Sequence, residues 1–462
     1  MKADEACRIV SLQRRFHQSG ATRCLDFRRD QLLKLKRALV EHEEDIFKAL
    51  HSDLGRPDTE SFFGETLFVM TEVDSALRNL SGWSRPNRVP TPLMMYPGSS
   101  LVYPEPYGVS LIIGPWNYPF QLMMAPLIGA IAAGNCAVLK PSEISEHTSS
   151  LIAGLLGEIF EPSFVAVVEG DREAVTSLLS ERFDYIFYTG SAPVGRIVME
   201  AAARHLTPST LELGGKSPCI VDRSLHMEPV MKRIAWGKFF NAGQTCVAPD
   251  YLLVRKDLKE EVVSGLLSTI KAFYGEDPSR SRDYSRIINR RHLSRLTALL
   301  SEGKTLCGGV ADEESLYLAP TLLDEVTWES PCMKEEIFGP ILPVLSYDSI
   351  DDAIEEINRR EKPLALYLFT EDEEIQNRVI SETSSGGVCI NDTIVHIGTP
   401  HLPFGGVGES GMGAYHGKAT FDTFSHRKSV MRRSLVPDPA FRYPPYAKMT
   451  ALFRKIMARL IQ

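Results

Sequence analysis

The chain has 462 residues, 44% apolar and 24% charged, an ordinary globular balance that excludes global disorder. Its length excludes a disulfide-stapled miniprotein or a lone binding module and suggests about three domains. The 51 Lys+Arg and 59 Asp+Glu give a net charge of −8, which speaks against general nucleic-acid binding.

Eight cysteines stand at 7, 24, 136, 219, 246, 307, 332 and 389, with no CxxC pair and no Cys/His group at zinc spacing. The opening MKADEACRIV has no apolar run of a signal peptide, so reduced cytoplasmic thiols are expected, and no metal. The most apolar stretch, about 120–139, contains Pro126, Gly129, Gly134 and Asn135. It reads as a buried helix, a turn and a strand, not a membrane span.

In chain order, apolar residues at helical spacing predict helices over 29–50 and 61–83. Prolines at 86, 90, 92, 97, 104 and 106 then forbid a continuous helix, although SSLVYPE could form one strand. Short apolar strands (GVSLIIG, CAVLK, FVAVVEG, YIFYTG, STLELGG) follow, separated by helical stretches. Such alternation implies right-handed βαβ crossovers and a parallel sheet covered on both faces. It restarts after Gly215 with PCIVD and YLLVRKD and continues to GGVCIND, giving a second α/β domain.

Several motifs invite a chemical reading. Gly406–Gly411 spells GxGxxG, but His401, Leu402 and Pro403 precede it where a dinucleotide turn needs a strand, so a glycine-rich loop is expected. Gly190-Ser-Ala-Pro-Val-Gly195 follows a strand and opens a helix, yet lacks the Lys-Ser/Thr of a P-loop. It is either an anion-binding helix start or an ordinary βα turn with Ser191 as cap. Cys246, in FNAGQTC, is either a small buried apolar residue or a nucleophile in a loop of available N–H groups. Glu212, among leucines, is a candidate general base if burial raises its pKa, and otherwise a strand-end carboxylate. Asn117 follows the first strand of the sheet, where ligands collect, and its amide could donate to an oxyanion or merely serve the turn.

Taken together, GPWNYPF, VLKPSE, YTGSAPVG, LELGGKSP, FNAGQTC, KEEIFGP and LPFGGVGESGMG occur in this order. This series resembles the aldehyde dehydrogenase superfamily over about residues 5–446. GMGAYHGKATFDTFSHRKS and RYPPY bring it nearest the class 3 branch. The resemblance implies an α/β aldehyde dehydrogenase-like fold: two parallel-sheet domains and a small β oligomerisation arm. Residues 1–83 and 104–208 would bind NAD(P), 209–404 would be catalytic, and 84–103 with 405–440 would form the bridging segment of a homodimer.

It further implies a mechanism in which Cys246 attacks an aldehyde. Asn117 and the Cys246 N–H would hold the oxyanion, and Glu212 would activate water to release a carboxylic acid. Lys140 and Glu143 would reach the adenosine ribose. Gly190, Ser191 and Gly195 would lie under the pyrophosphate, and Glu336 with Phe338 would hold the nicotinamide side. Trp116, Tyr118 and Phe404 would line the junction with the substrate, medium- to long-chain aliphatic or aromatic. A glutamate near the ribose favours NAD, with NADP as the second possibility. Replacement of water by CoA, or a non-catalytic scaffold on the same fold, are the alternatives; retention of Glu212 and Cys246 argues against both.

Residues 441–462 carry five basic residues and no acid, with apolar residues at helical spacing. They predict a basic amphipathic helix, packed on the protein in preference to peripheral contact with a lipid surface.

Overall fold

A computed structural model describes residues 3–223, 226–438, 442–446, 450 and 454. The chain divides into two units, one of residues 1–83 and 105–426 and one of residues 84–104 and 427–462.

The larger unit contains two sheets. Strands Val109–Ile113 (β1), Cys136–Lys140 (β2), Val165–Val167 (β3), Tyr185–Thr189 (β4) and Ser209–Glu212 (β5) are parallel, in the order β5-β4-β1-β2-β3. Nearly all their residues are buried, because helices cover both faces and no polar alternation is tolerated. The direction of winding reverses at β1, so the loops after β1 and β4 open on one crevice. Asn117 is on the first of these loops and Gly190 on the second.

The second sheet holds Pro218–Arg223 (β6), Tyr251–Arg255 (β7), Lys304–Cys307 (β8), Thr321–Asp324 (β9), Ile341–Tyr347 (β10), Ala365–Thr370 (β11) and Gly387–Ile390 (β12). Its order is β8-β9-β10-β7-β6-β11-β12, parallel except for the β8–β9 pair. Cys246 lies in the loop that enters β7.

The smaller unit is built on Asn87–Val89 paired antiparallel with Gly98–Pro106, which is followed in the sheet by Ser425–Arg433. Residues 405–426, expected with this unit, belong to the larger one. The reason is local: Gly411–Met412 (β13) pairs antiparallel with β5, and helix Lys418–Thr423 packs on helix Gln121–Ala133. The GxGxxG match is therefore a turn and edge strand beside Glu212, with Gly411 opposite it.

The apolar stretch forms helix Gln121–Ala133, buried on every side, then β2. The helix expected over 29–50 is two, Leu25–Glu41 and Glu43–Leu54, because the acidic run after His42 starts a fresh N-terminal turn. The proposed tail helix falls almost wholly on residues outside those described. Among the described residues no helix is long and apolar enough to cross a membrane, and no group of three or more His, Cys, Asp or Glu could hold a metal ion.

Candidate active site

The loop that leads to Cys246 is built from an uncommon backbone. Asn241, Ala242 and Gly243 all have positive φ, at 53°, 50° and 73°. A Cβ on Gly243 would come within 2.3 Å of the Gly339 carbonyl oxygen, so only glycine fits the last of these turns. Two consecutive non-glycine residues in this region are strained, and such strain persists only when surrounding contacts fix it. Here the Asn241 N–H donates to Glu60 at 2.9 Å, and the Gln244 side chain donates to the carbonyls of Asn241 and Arg286 at 3.1 and 2.9 Å.

Cys246 lines a cavity of about 300 Å³. The wall includes Phe63, Leu67, Phe68, Tyr118, Trp236, Phe240, Ile394, Phe404, Tyr415 and His416. Burial pushes the thiol up, and the nearby carboxyls of Glu336 and Glu212 add to the rise. The main-chain N–H groups of Cys246 and Val247 oppose it by facing the sulfur. Cys246 is partly exposed and lines this cavity.

Glu212 ends β5 and is 2% exposed, with neither carboxylate oxygen hydrogen-bonded. Burial alone raises its pKa well above the ordinary carboxylate range. Its main chain is fixed on two sides: its carbonyl accepts from the Gly190 N–H at 3.0 Å, and Leu213 N–H donates to Ser410 at 3.1 Å.

Asn117 is buried, and its side-chain amide donates to the Gln244 carbonyl at 3.0 Å. One of its two N–H bonds is used in this way, leaving the second for a ligand. Tyr118, next in the chain, shares a 2.7 Å hydrogen bond with Thr245 and lines the cavity. Phe404 also lines it, held by reciprocal main-chain bonds to Tyr415. Trp116 is not among the residues that line the cavity. Its ring packs 4.9 Å from His292 and 5.3 Å from Phe338, since the turn sends Trp116 and Tyr118 different ways.

The aldehyde dehydrogenase family model matches residues 2–430. The dimeric NADP-preferring aldehyde dehydrogenase of Rattus norvegicus is 50% identical over 438 residues, covering 94% of this chain and 97% of the relative. The 4,4'-diaponeurosporen-aldehyde dehydrogenase of Staphylococcus aureus is 48% identical over 433 residues, covering 93% and 94%. A solved structure of Staphylococcus aureus AldH in a substrate-bound state superposes with a TM-score of 0.95 at 46% identity, over 97% of this chain and 99% of that one.

The chain belongs to the aldehyde dehydrogenase family. It is an oxidoreductase that takes aldehydes to carboxylic acids with NAD(P).

In this aldehyde dehydrogenase the carboxyl edge of the first sheet suits a dinucleotide. Lys140, at the end of β2, is buried and donates to the Pro141 carbonyl at 2.6 Å, with its ammonium 3.6 Å from half-exposed Glu143. Helix Ala192–His205 begins without a side-chain cap from Ser191, so its first N–H groups remain for an anion. Gly190 and Gly195 flank that start. Thr189, opposite Glu212 in the sheet, has a buried hydroxyl with no partner. Burial pushes Glu336 up to about 8, against an N–H donated by Gly215. Phe338, with φ 50°, stands edge-on to Trp116. The unpaired Thr189 hydroxyl and the buried, unpaired Glu212 carboxyl are groups that a polar, hydroxyl-rich ligand would satisfy.

The sequence reading missed Arg56, Glu65, Glu72 and His416. Arg56 is fully buried and pairs at 2.5 Å with fully buried Glu65. Nothing in GRPDTESFFGE marks these charges as interior, because their partners lie up to 185 residues away. Asn241 and Gln244 were within reach, since both belong to the FNAGQTC motif that carries Cys246.

Proposed function

We propose that Cys246 is the nucleophile, Glu212 the general base, and the Asn117 amide with the Cys246 N–H the oxyanion site. The carrying observation is a thiol that lines an apolar cavity, is faced by main-chain N–H groups, and lies close enough to the buried, unpaired Glu212 carboxyl to feel its charge. The thiolate adds to the aldehyde carbon, and the two N–H donors stabilise the alkoxide that forms. Held at the carboxyl edge of the first sheet, NAD(P) would supply the hydride acceptor, leaving the substrate on Cys246 as a thioester. Glu212 then takes a proton from water as its oxygen attacks the thioester; the thiolate leaves and the acid is released. Cys246→Ala should form no NAD(P)H while keeping its fold; retained turnover would refute the assignment.

Lys140 and Glu143 would hold the adenosine ribose. Gly190, Ser191 and Gly195 would carry the pyrophosphate, and Glu336 with Phe338 the nicotinamide ribose. NAD is the preferred cofactor because Glu143 repels a 2′-phosphate, while Lys140 beside it keeps NADP usable.

The cavity's aromatic and aliphatic wall favours medium- to long-chain aliphatic or aromatic aldehydes. The smaller unit, with Leu93 and Leu435 more than 80% exposed, supports a homodimer. Cytoplasmic residence, with the basic 441–462 segment as a second, lipid-facing option, is tested by co-sedimentation of the full chain and a 1–441 form with anionic liposomes. Equal behaviour would refute lipid contact.

A further inference from the structure

The mechanism uses an amide and a thiol that come from loops over 120 residues apart. Neither loop is regular structure, and one is strained. Something must fix the distance between them, because misplacement by about 1 Å can cost 100-fold in rate. Behind both loops lies the buried guanidinium of Arg56, which the chemistry itself does not touch.

Each nitrogen of that guanidinium holds a different element. Nη1 donates to Glu65 at 2.5 Å, in the π-turn Phe62–Thr66. Nη2 donates to the main-chain carbonyl of Asn117. Nε donates to the Asn241 side-chain oxygen at 3.2 Å. Asn241, oriented in this way, donates its own amide to the carbonyls of Asn117 at 3.0 Å and Gln244 at 3.1 Å. The Gln244 carbonyl is the same atom that receives the Asn117 side chain. Glu65 completes the frame, since its second oxygen accepts the Gln121 N–H at 2.5 Å, where the 114–120 turn passes into a helix. The guanidinium also lies 4.6 Å from the ring centre of Tyr118, a cavity wall residue.

A buried ion pair is a poor way to gain stability, because desolvation offsets most of the attraction. Its best-attested use is to fix register, and a planar three-armed donor suits that use. We propose that Arg56 is the positioning residue that sets the Asn117 oxyanion donor against the Cys246 loop. The proposal rests on the oxyanion reading of Asn117.

The test is a kinetic cycle in the full-length protein with NAD and an aliphatic aldehyde. Arg56→Lys keeps the charge but not the fork. It should lower kcat roughly 10- to 100-fold, with aldehyde KM changed less than about threefold. In an Asn117→Ala background the same change should cost less than about twofold more, because its target is gone. The charge-neutral pair Arg56→Met/Glu65→Gln should repeat the kcat loss, and serves if the single variant does not fold. Either variant with kcat within twofold of the wild type, or losses at 56 and 117 that multiply, would overturn the proposal. If Asn117→Ala alone left kcat unchanged, the oxyanion reading would fall, and the proposal with it, on a variant that does not touch residue 56.

Discussion

The carboxylate of Glu72 accepts the main-chain N–H of Gly417 at 2.8 Å, joining helix Leu67–Trp83 to a turn 345 residues later. That turn has φ 81° at His416 and 52° at Gly417, and a Cβ on Gly417 would come within 2.0 Å of the Pro400 carbonyl oxygen. Tyr415 and His416 of the same turn line the cavity. Glu72 thus holds one wall of the cavity in a conformation it would not adopt unaided.

Glu72→Ala should raise aldehyde KM several-fold and destabilise the fold by about 1–3 kcal/mol, the cost of leaving a buried N–H unpaired. Thermal melts and steady-state kinetics on the same preparation check both parts. A variant with unchanged KM would separate the turn from the substrate wall.

Stability should also depend on pH through this residue. Burial pushes Glu72 up to about 7, opposed by the Gly417 N–H. A carboxyl whose folded pKa is raised binds more protons when folded, so its contribution is full below the unfolded pKa. That contribution is lost as pH rises through about 7, by on the order of 3 kcal/mol in total. The fall in melting temperature between about pH 5 and pH 8 should therefore be smaller in Glu72→Gln than in the wild type. Glu60 and Glu65, also pushed up to about 7, add to the wild-type slope in both proteins.

Catalysis should show the opposite trend. In the proposed mechanism Glu212 and Cys246 must both lose protons to act, and burial raises both. The steady-state rate should climb as pH rises above neutral, and Glu212→Gln should lose roughly 100-fold or more in deacylation with a much weaker pH slope. A flat profile in the wild type would contradict the base assignment.

Chain length is the measure of the cavity. Each added methylene buried against its wall should contribute about 0.8 kcal/mol, or three- to fourfold in kcat/KM, until the space is filled. Trp236→Ala should flatten that dependence while leaving the shortest aldehydes little affected. Short and long aldehydes oxidised with equal kcat/KM would mean that the cavity is not where the chain binds.

Much of this was legible in the sequence because it is local. The strand-helix alternation of 108–215 is a period-and-run signal, and each apolar run is a strand of the first sheet or the helix beside it. Glu212, Cys246 and Asn117 each carry a local cue: a carboxylate among leucines, a thiol after glycine, an amide after the first strand. What stayed hidden is what depends on distant pairing. Arg56 and Glu65 carry no local cue to burial, because Arg56 meets Asn117 and Asn241 only in the fold. Nor does a string show which way a turn sends each side chain, Trp116 toward His292 and Phe338 and Tyr118 onto the cavity wall. The same holds for residues 405–426, whose place follows from two residues pairing on β5.

The account's central claim is a covalent acyl-enzyme on Cys246. The most direct measurement is the intact mass of Glu212→Gln protein after brief incubation with NAD and a medium-chain aldehyde, followed by peptide mapping. The predicted result is one added acyl group on the peptide containing Cys246, absent from Cys246→Ala and released on longer incubation. Acid production with no acyl adduct at any time, or an adduct on another cysteine, would contradict it.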